Sequence, residues 1–376
     1  MKRFIYADNA ATTKLDIDAF EAMKPYLLGE YGNASQPYSF ARSAKKALQE
    51  SRQIIASCIN AEPDEIYFTS GGTESDNWAI KGSAFSTHER KTIITTEFEH
   101  HAVLRACDAI GQLGYSIVHI PPNTKGYITK EALESAITKN TLLVSVMMSN
   151  NEIGTIQPIK ELVTIAHKNG SLFHTDAVQC VGHIPIDVKN LDIDLLSASA
   201  HKFNGPKGIG FLYIKKGTNI LPLLNGGNQE NSKRAGTENI ASIVGMAIAL
   251  KKNFDNIEKN TTHILNLENS LIENLNSSEI IFYRNGNGKM MPGTLSLSFP
   301  GFEGEAILHR LDLMGIQVST GSACDSLNTQ ISHVLHAIQT DEKIALGTIR
   351  ISLGKDNSYE EIDKISEALR KIIKYQ

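Results

Sequence analysis

From residue 65 to residue 214 the chain alternates short apolar runs with stretches of helical periodicity. The apolar runs are EIYFT (65–69), TIITT (92–96), SIVHI (116–120), LLVSVMMSN (142–150), SLFHTDAV (171–178), IDLLSAS (193–199) and GIGFLYI (208–214). Between them lie helical segments such as HHAVLRACDAIGQLG (100–114) and PIKELVTIAHKNG (158–170), the second opening on proline and closing on glycine. Thr129 is placed to cap the segment TKEALESAI. Strands that are apolar throughout are covered on both sides. Their alternation with helices therefore predicts a mostly parallel sheet between helical layers, an α/β fold.

The last third reads differently. Residues 238–275 predict one long linking helix. GTLSLSFP (293–300) and TIRISLG (348–354) alternate like antiparallel strands, and YEEIDKISEALRKIIKYQ (359–376) is an amphipathic helix. A chain of 376 residues is long for one core. The expected division is a large α/β domain over 15–258 and a smaller α+β domain formed by 1–14 with 259–376.

Composition excludes several classes. A net charge of -4 makes the whole chain no trap for nucleic acid. No apolar run is long enough for a membrane span, and the N-terminal stretch has no apolar signal core. Cys58, Cys107, Cys180 and Cys324 are scattered without a CxxC, which argues against disulfides or zinc and for a reducing cytoplasm. No metal-ligating pattern is read. His100 and His101 are adjacent, so they do not form a helical metal pair.

Four segments carry chemistry. In SASAHKFNGPKGIG (197–210), Lys202 follows a strand, where α/β sheets place ligands. A surface lysine is the plain alternative. Asp176 ends the preceding strand, and a helix cap is its alternative role. A lysine for an aldehyde and a carboxylate for a pyridine nitrogen are what pyridoxal phosphate chemistry needs. Gly71, Gly72 and Thr73 follow a strand and open a helix, which suits a phosphate. His100 and His101 stand at another helix start, open to capping or catalysis. Separately, Cys324 lies in VSTGSACDSLN (318–328), a polar stretch unlike a thiol's usual apolar surroundings.

Taken together the chain resembles the NifS/IscS-type cysteine desulfurases, fold type I enzymes of the class V aminotransferase kind. The resemblance runs through YADNAATT (6–13), GGTESDN (71–77), EHHAV (99–103), SNNEIG (149–154), HTDAVQ (174–179), AHKFNGPKG (200–208), RAGTEN (234–239), STGSAC (319–324) and IRISLG (349–354). It implies the cofactor pyridoxal 5'-phosphate and the substrate L-cysteine. Lys202 would carry the cofactor as a Schiff base and move protons at the substrate. Asp176 would pair with the ring nitrogen, Gln179 with the ring hydroxyl, and His100 would stack on the ring. Gly72 lies in the phosphate turn. Thr73, Ser199 and His201 would bind the phosphate, joined by Thr237 from the second subunit of a homodimer. Asn151 and Arg350 would hold the substrate carboxylate, for which the planar guanidinium is suited. Cys324 would take the sulfur as a persulfide, release alanine, and pass the sulfur to an acceptor protein in Fe–S assembly or in tRNA or DNA sulfur modification.

This chain departs from the family at Ala34 and Tyr38, where Pro and His are usual, and after the cysteine, at Asp325, Ser326 and LNTQ (327–330). An acidic neighbour raises a thiol pKa. The alternatives are a selenocysteine lyase, another pyridoxal phosphate lyase or aminotransferase, and a non-catalytic scaffold.

Overall fold

The structure, a computed structural model, describes residues 4–87, 89–321 and 331–374. Its strands in chain order are β1 (Ile5–Tyr6), β2 (Ile66–Thr69), β3 (Thr92–Thr96), β4 (Ser116–Ile120), β5 (Thr141–Ser145), β6 (Leu172–Asp176), β7 (Leu195–Ser199), β8 (Gly210–Ile214), β9 (Tyr283–Arg284), β10 (Thr294–Ser298), β11 (Ile316–Gln317) and β12 (Thr348–Ser352). Seven of them form one sheet in the order β2-β8-β7-β6-β5-β3-β4. Only β8 runs against the other six.

Both faces of this sheet are dry. Phe68, Ile94, Val144, Leu196 and Phe211 enter the apolar cluster on one face. Their neighbours Tyr67, Ile93, Leu143, Leu195 and Leu212 enter the cluster on the other. Side chains alternate along a strand, so only an all-apolar run can fill two such layers.

A separate apolar cluster joins Ile5 and Ala7 to Leu295, Leu297, Ile349 and Ile351 of the antiparallel pair β10–β12 and to Ile362, Ile365 and Leu369 of the last helix. The N-terminal strand reaches it by pairing with β11, Ile5 opposite Ile316.

Two expectations need correction. LLVSVMMSN is a strand only to Ser145; residues beyond it leave the sheet. The predicted helix over 238–275 is two helices, Ile240–Asp255 and Ile257–Ser277. The break is at Asn256, whose side-chain Nδ2 donates to Lys252 O at 2.8 Å. A short amide that satisfies a last-turn carbonyl competes with the next helical N–H.

Candidate active site

The C-terminal ends of β2, β3, β5, β6 and β7 open into one cavity of about 590 Å3. Gly72, Thr73, His100, Asn151, Asp176, Gln179, Ser199, His201, Lys202 and Arg350 all line it. They come from six separate segments of sequence, so the sheet rather than local sequence brings them together.

At one end the helix Gly72–Phe85 starts without a side-chain cap. The first N–H groups of a helix have no partner within it and carry the positive end of its dipole. Ser199, His201 and Lys207 line the cavity beside that start. The approach is close: a Cβ on Gly72 would lie 2.7 Å from Val178 Cγ2. His201 Nδ1 lies 3.1 Å from Thr12 Oγ1. Burial, aided by the charges of Lys202 and Lys207, lowers the His201 pKa to about 4 and keeps its ring neutral.

In the middle stands Lys202, on the turn that follows β7. Its Nζ donates to Ala10 O at 2.5 Å and Ala11 O at 2.9 Å. Gln179 Nε2 donates to the same Ala10 carbonyl at 3.0 Å. Asp176 is buried and accepts from Val178 N at 2.9 Å. Burial raises its pKa, while His100, the Val178 N–H and Lys202 hold it down. His100 caps the helix His101–Gly111, its Nδ1 accepting from Ala102 N at 3.1 Å. An Nδ1 used as acceptor puts the neutral ring's proton on Nε2. Burial also lowers the His100 pKa, Lys202 adding to this and Asp176 opposing it.

At the other end lies Arg350, only 4% exposed on β12. Its Nη1 donates to Asn151 O at 3.0 Å and its Nη2 to Asp8 Oδ1 at 2.8 Å. Arg350 also bridges to Ser319 through backbone bonds of 2.6 and 3.0 Å. That bridge sets Gly321 in the cavity wall, with φ +78 and its would-be Cβ 2.8 Å from Glu152 Oε2. Glu152 also accepts from Ser332 Oγ at 2.6 Å, and His333 lines the wall beyond it. Cys324 itself lies outside the described residues.

Thr237 does not line this cavity; it is exposed. Its segment is anchored by two ion pairs. Arg234 pairs with Glu74 through bonds of 2.8 and 3.1 Å, and Arg52 pairs with Glu230 through bonds of 2.6 and 2.8 Å.

Asp76, Glu152, Lys207 and His333 also line the cavity and were not singled out from sequence. Asp76 had a local signal: it is a charged residue on the buried side of its helix, beside Ser75, Trp78 and Ala79. Glu152 and Lys207 stand in the motifs SNNEIG and AHKFNGPKG with Asn151 and Lys202, whereas His333 comes to the site from a distant segment.

The class-V aminotransferase family matches residues 5–365. Cysteine desulfurase IscS of Dictyoglomus turgidum is 48% identical over 375 residues, which is 99% of this chain and 95% of that protein. This chain belongs to the class-V aminotransferases, among the IscS/NifS-type cysteine desulfurases. The enzymes of this family depend on pyridoxal phosphate. A solved NifS-like protein superposes with a TM-score of 0.94 at 36% identity, covering 100% of both chains. The structure titled SspA in complex with cysteine gives a TM-score of 0.84 at 34% identity, over 94% of this chain and 100% of that one. The desulfurase fold is thus the one described above: fold type I, with its mostly parallel seven-stranded sheet.

Proposed function

We propose that this desulfurase converts L-cysteine to L-alanine with Cys324 as the sulfur acceptor, and that it works as a homodimer supplying an acceptor protein. The observation that carries this reading is the convergence in one cavity of an uncapped helix start, Lys202, buried Asp176 and Arg350.

These residues fit pyridoxal phosphate. The helix start with Gly72, Thr73, Ser199 and His201 would hold its phosphate, Asp176 its ring nitrogen, Gln179 its hydroxyl, His100 its ring face and Lys202 its aldehyde. When bound, the cofactor supplies an electron sink for the substrate α-carbon. Lys202 must leave the Ala10 and Ala11 carbonyls to serve there, and those two carbonyls give its ammonium a resting position. Burial lowers the His100 pKa, so the ring gives up a proton more readily than a free imidazole. Arg350, already oriented by Asp8 and Asn151, presents its remaining donors to the substrate carboxylate, and Asn151 stands beside it.

In the overall reaction the C–S bond of L-cysteine breaks and an S–S bond to Cys324 forms. The substrate carbon takes a proton where the sulfur was. Cys58, Cys107 and Cys180 are poor candidates for this: all are buried, and burial raises their thiol pKa values, to about 11 for Cys58 and about 12 for Cys107. Cys324 lies three chain steps beyond Gly321 in the cavity wall, a contour of at most about 11 Å. Thr237, exposed on its anchored segment, is presented outward, as a residue completing a second subunit's phosphate site needs to be. The division of the chain at 14/15 and 258/259 belongs to the same reading; the separate cluster of Ile5, β10, β12 and the last helix supports it, whereas Met291, Val334, Leu335 and Ile338 pack into the larger cluster.

Two variants test this. Lys202→Ala is expected to lose the cofactor on denaturation after borohydride treatment, whereas the wild-type chain keeps it. Cys324→Ala is expected to bind the cofactor and release almost no sulfide from L-cysteine. Wild-type turnover by Cys324→Ala would overturn the persulfide role.

A further inference from the structure

Asp76 is a second carboxyl at the cofactor site. It is 1% exposed, lines the cavity, and its Oδ1 has no hydrogen-bond partner. One donor atom each from Asp76, Asp176 and His100 lie within 4.8 Å of one another. Two carboxylates cannot both ionise at such a separation in a desolvated place.

The surroundings decide which one holds the proton. The titratable groups facing Asp76 are Asp176 and His174 on β6, and Glu99 and His100 ahead of the next helix. His174 Nε2 lies 3.6 Å from Asp76 Oδ1. That nitrogen is bonded to Ser197 Oγ at 3.0 Å, and Nδ1 to Ser145 Oγ at 2.8 Å. Burial lowers the His174 pKa to about 3, so it brings Asp76 no positive charge. Asp176 is better supplied: it has the Val178 N–H and lies in the fields of His100 and Lys202. Burial and the charge of Asp176 push the Asp76 pKa well up, with the Ser197 hydroxyl opposing.

We propose that Asp76 holds the proton of a buried carboxyl pair, so that Asp176 stands ionised toward the ring nitrogen of the cofactor. The role toward the cofactor rests on the pyridoxal phosphate reading above; the protonation of Asp76 does not. Asp76 is a positioning residue: it acts through Asp176 by keeping the second charge out of the site and offering a neutral donor in its place.

Infrared spectroscopy of the apoenzyme, with isotope-labelled aspartate, separates this carboxyl from that of Glu99. The expected result at neutral pH is a protonated-carboxyl band that moves on labelling and is missing in Asp76→Asn. Absence of that band in the wild type, or its survival in Asp76→Asn, overturns the proposal. In the holoenzyme, Asp76→Asn is isosteric, neutral and still a donor, so pyridoxal phosphate affinity and the pH profile of its absorbance should stay as in wild type. Asp76→Ala should weaken affinity about tenfold, the scale of one hydrogen bond to a charged group. Equal effects of Asn and Ala, or no effect of Ala, also overturn it. A wild-type chain that binds no pyridoxal phosphate would sink the functional reading, while the apoenzyme spectrum would still judge Asp76.

Discussion

Replacing Gly72 by alanine tests how the phosphate end of the site is built. The new Cβ would lie 2.7 Å from Val178 Cγ2 and 3.6 Å from Ser199 Cβ. The first distance is too short, so a wall must move. Val178 is β-branched and stiff at χ1, so it does not swing aside freely. Overpacking of this kind costs roughly 1–3 kcal/mol. Alanine recovers part of that, up to about 1 kcal/mol in a helix interior and less at a first turn. A net loss of about 1–2 kcal/mol is expected. The displacement falls on the helix start and on the segment that follows Asp176, so it should appear as weaker cofactor binding: about tenfold for each 1.4 kcal/mol. The assay is a spectrophotometric titration of apoenzyme with pyridoxal phosphate, beside thermal unfolding of the apoenzyme. Val178→Ala in the same chain removes the obstructing methyls and should restore most of the affinity, a double-mutant cycle with a large coupling term. Wild-type affinity in Gly72→Ala, or no recovery in the double variant, would refute the steric argument.

Other outcomes follow from the same geometry. Arg350→Ala removes the only guanidinium lining the cavity among the described residues; KM for L-cysteine should rise about tenfold or more, the scale of a charge-assisted bond, and an unchanged KM would remove Arg350 from substrate binding. Gly321→Ala adds a Cβ against Glu152 at a left-handed φ of +78, so turnover should fall while cofactor affinity stays, and normal turnover would separate this turn from the chemistry. Glu99 is fully buried, and burial raises its pKa to about 8 against the opposing Met147 N–H and Thr96 hydroxyl. Its folded-state pKa lies above the unfolded value of 4.5, so its share of stability is present below that pH and is lost as pH rises through about 8. Glu99→Gln should flatten apoenzyme stability over that window in denaturant titrations, and parallel wild-type and variant curves would contradict it.

The layout of the sheet and the principal site residues were legible in the sequence because both are written locally. A run of adjacent apolar residues such as II in β3 or LLV in β5 states that the strand is covered on two faces, and Lys202 and Asp176 sit where strands of the same sheet end. The break at Asn256 was not legible, since the stretch on each side has helical periodicity and one amide decides the interruption. Nor was the pairing of Glu152 with Ser332, or of Arg350 with Asp8, residues 180 and 342 positions apart.

By itself the sequence determined which chemical groups this enzyme has and in which strand–helix units they stand. Only the tertiary structure decided their states. Burial lowers the pKa of His100 and holds His201 uncharged, and the neutrality of His174 means that it brings Asp76 no positive charge. Those states depend on desolvation and on neighbours from distant strands, which no local pattern of residues records.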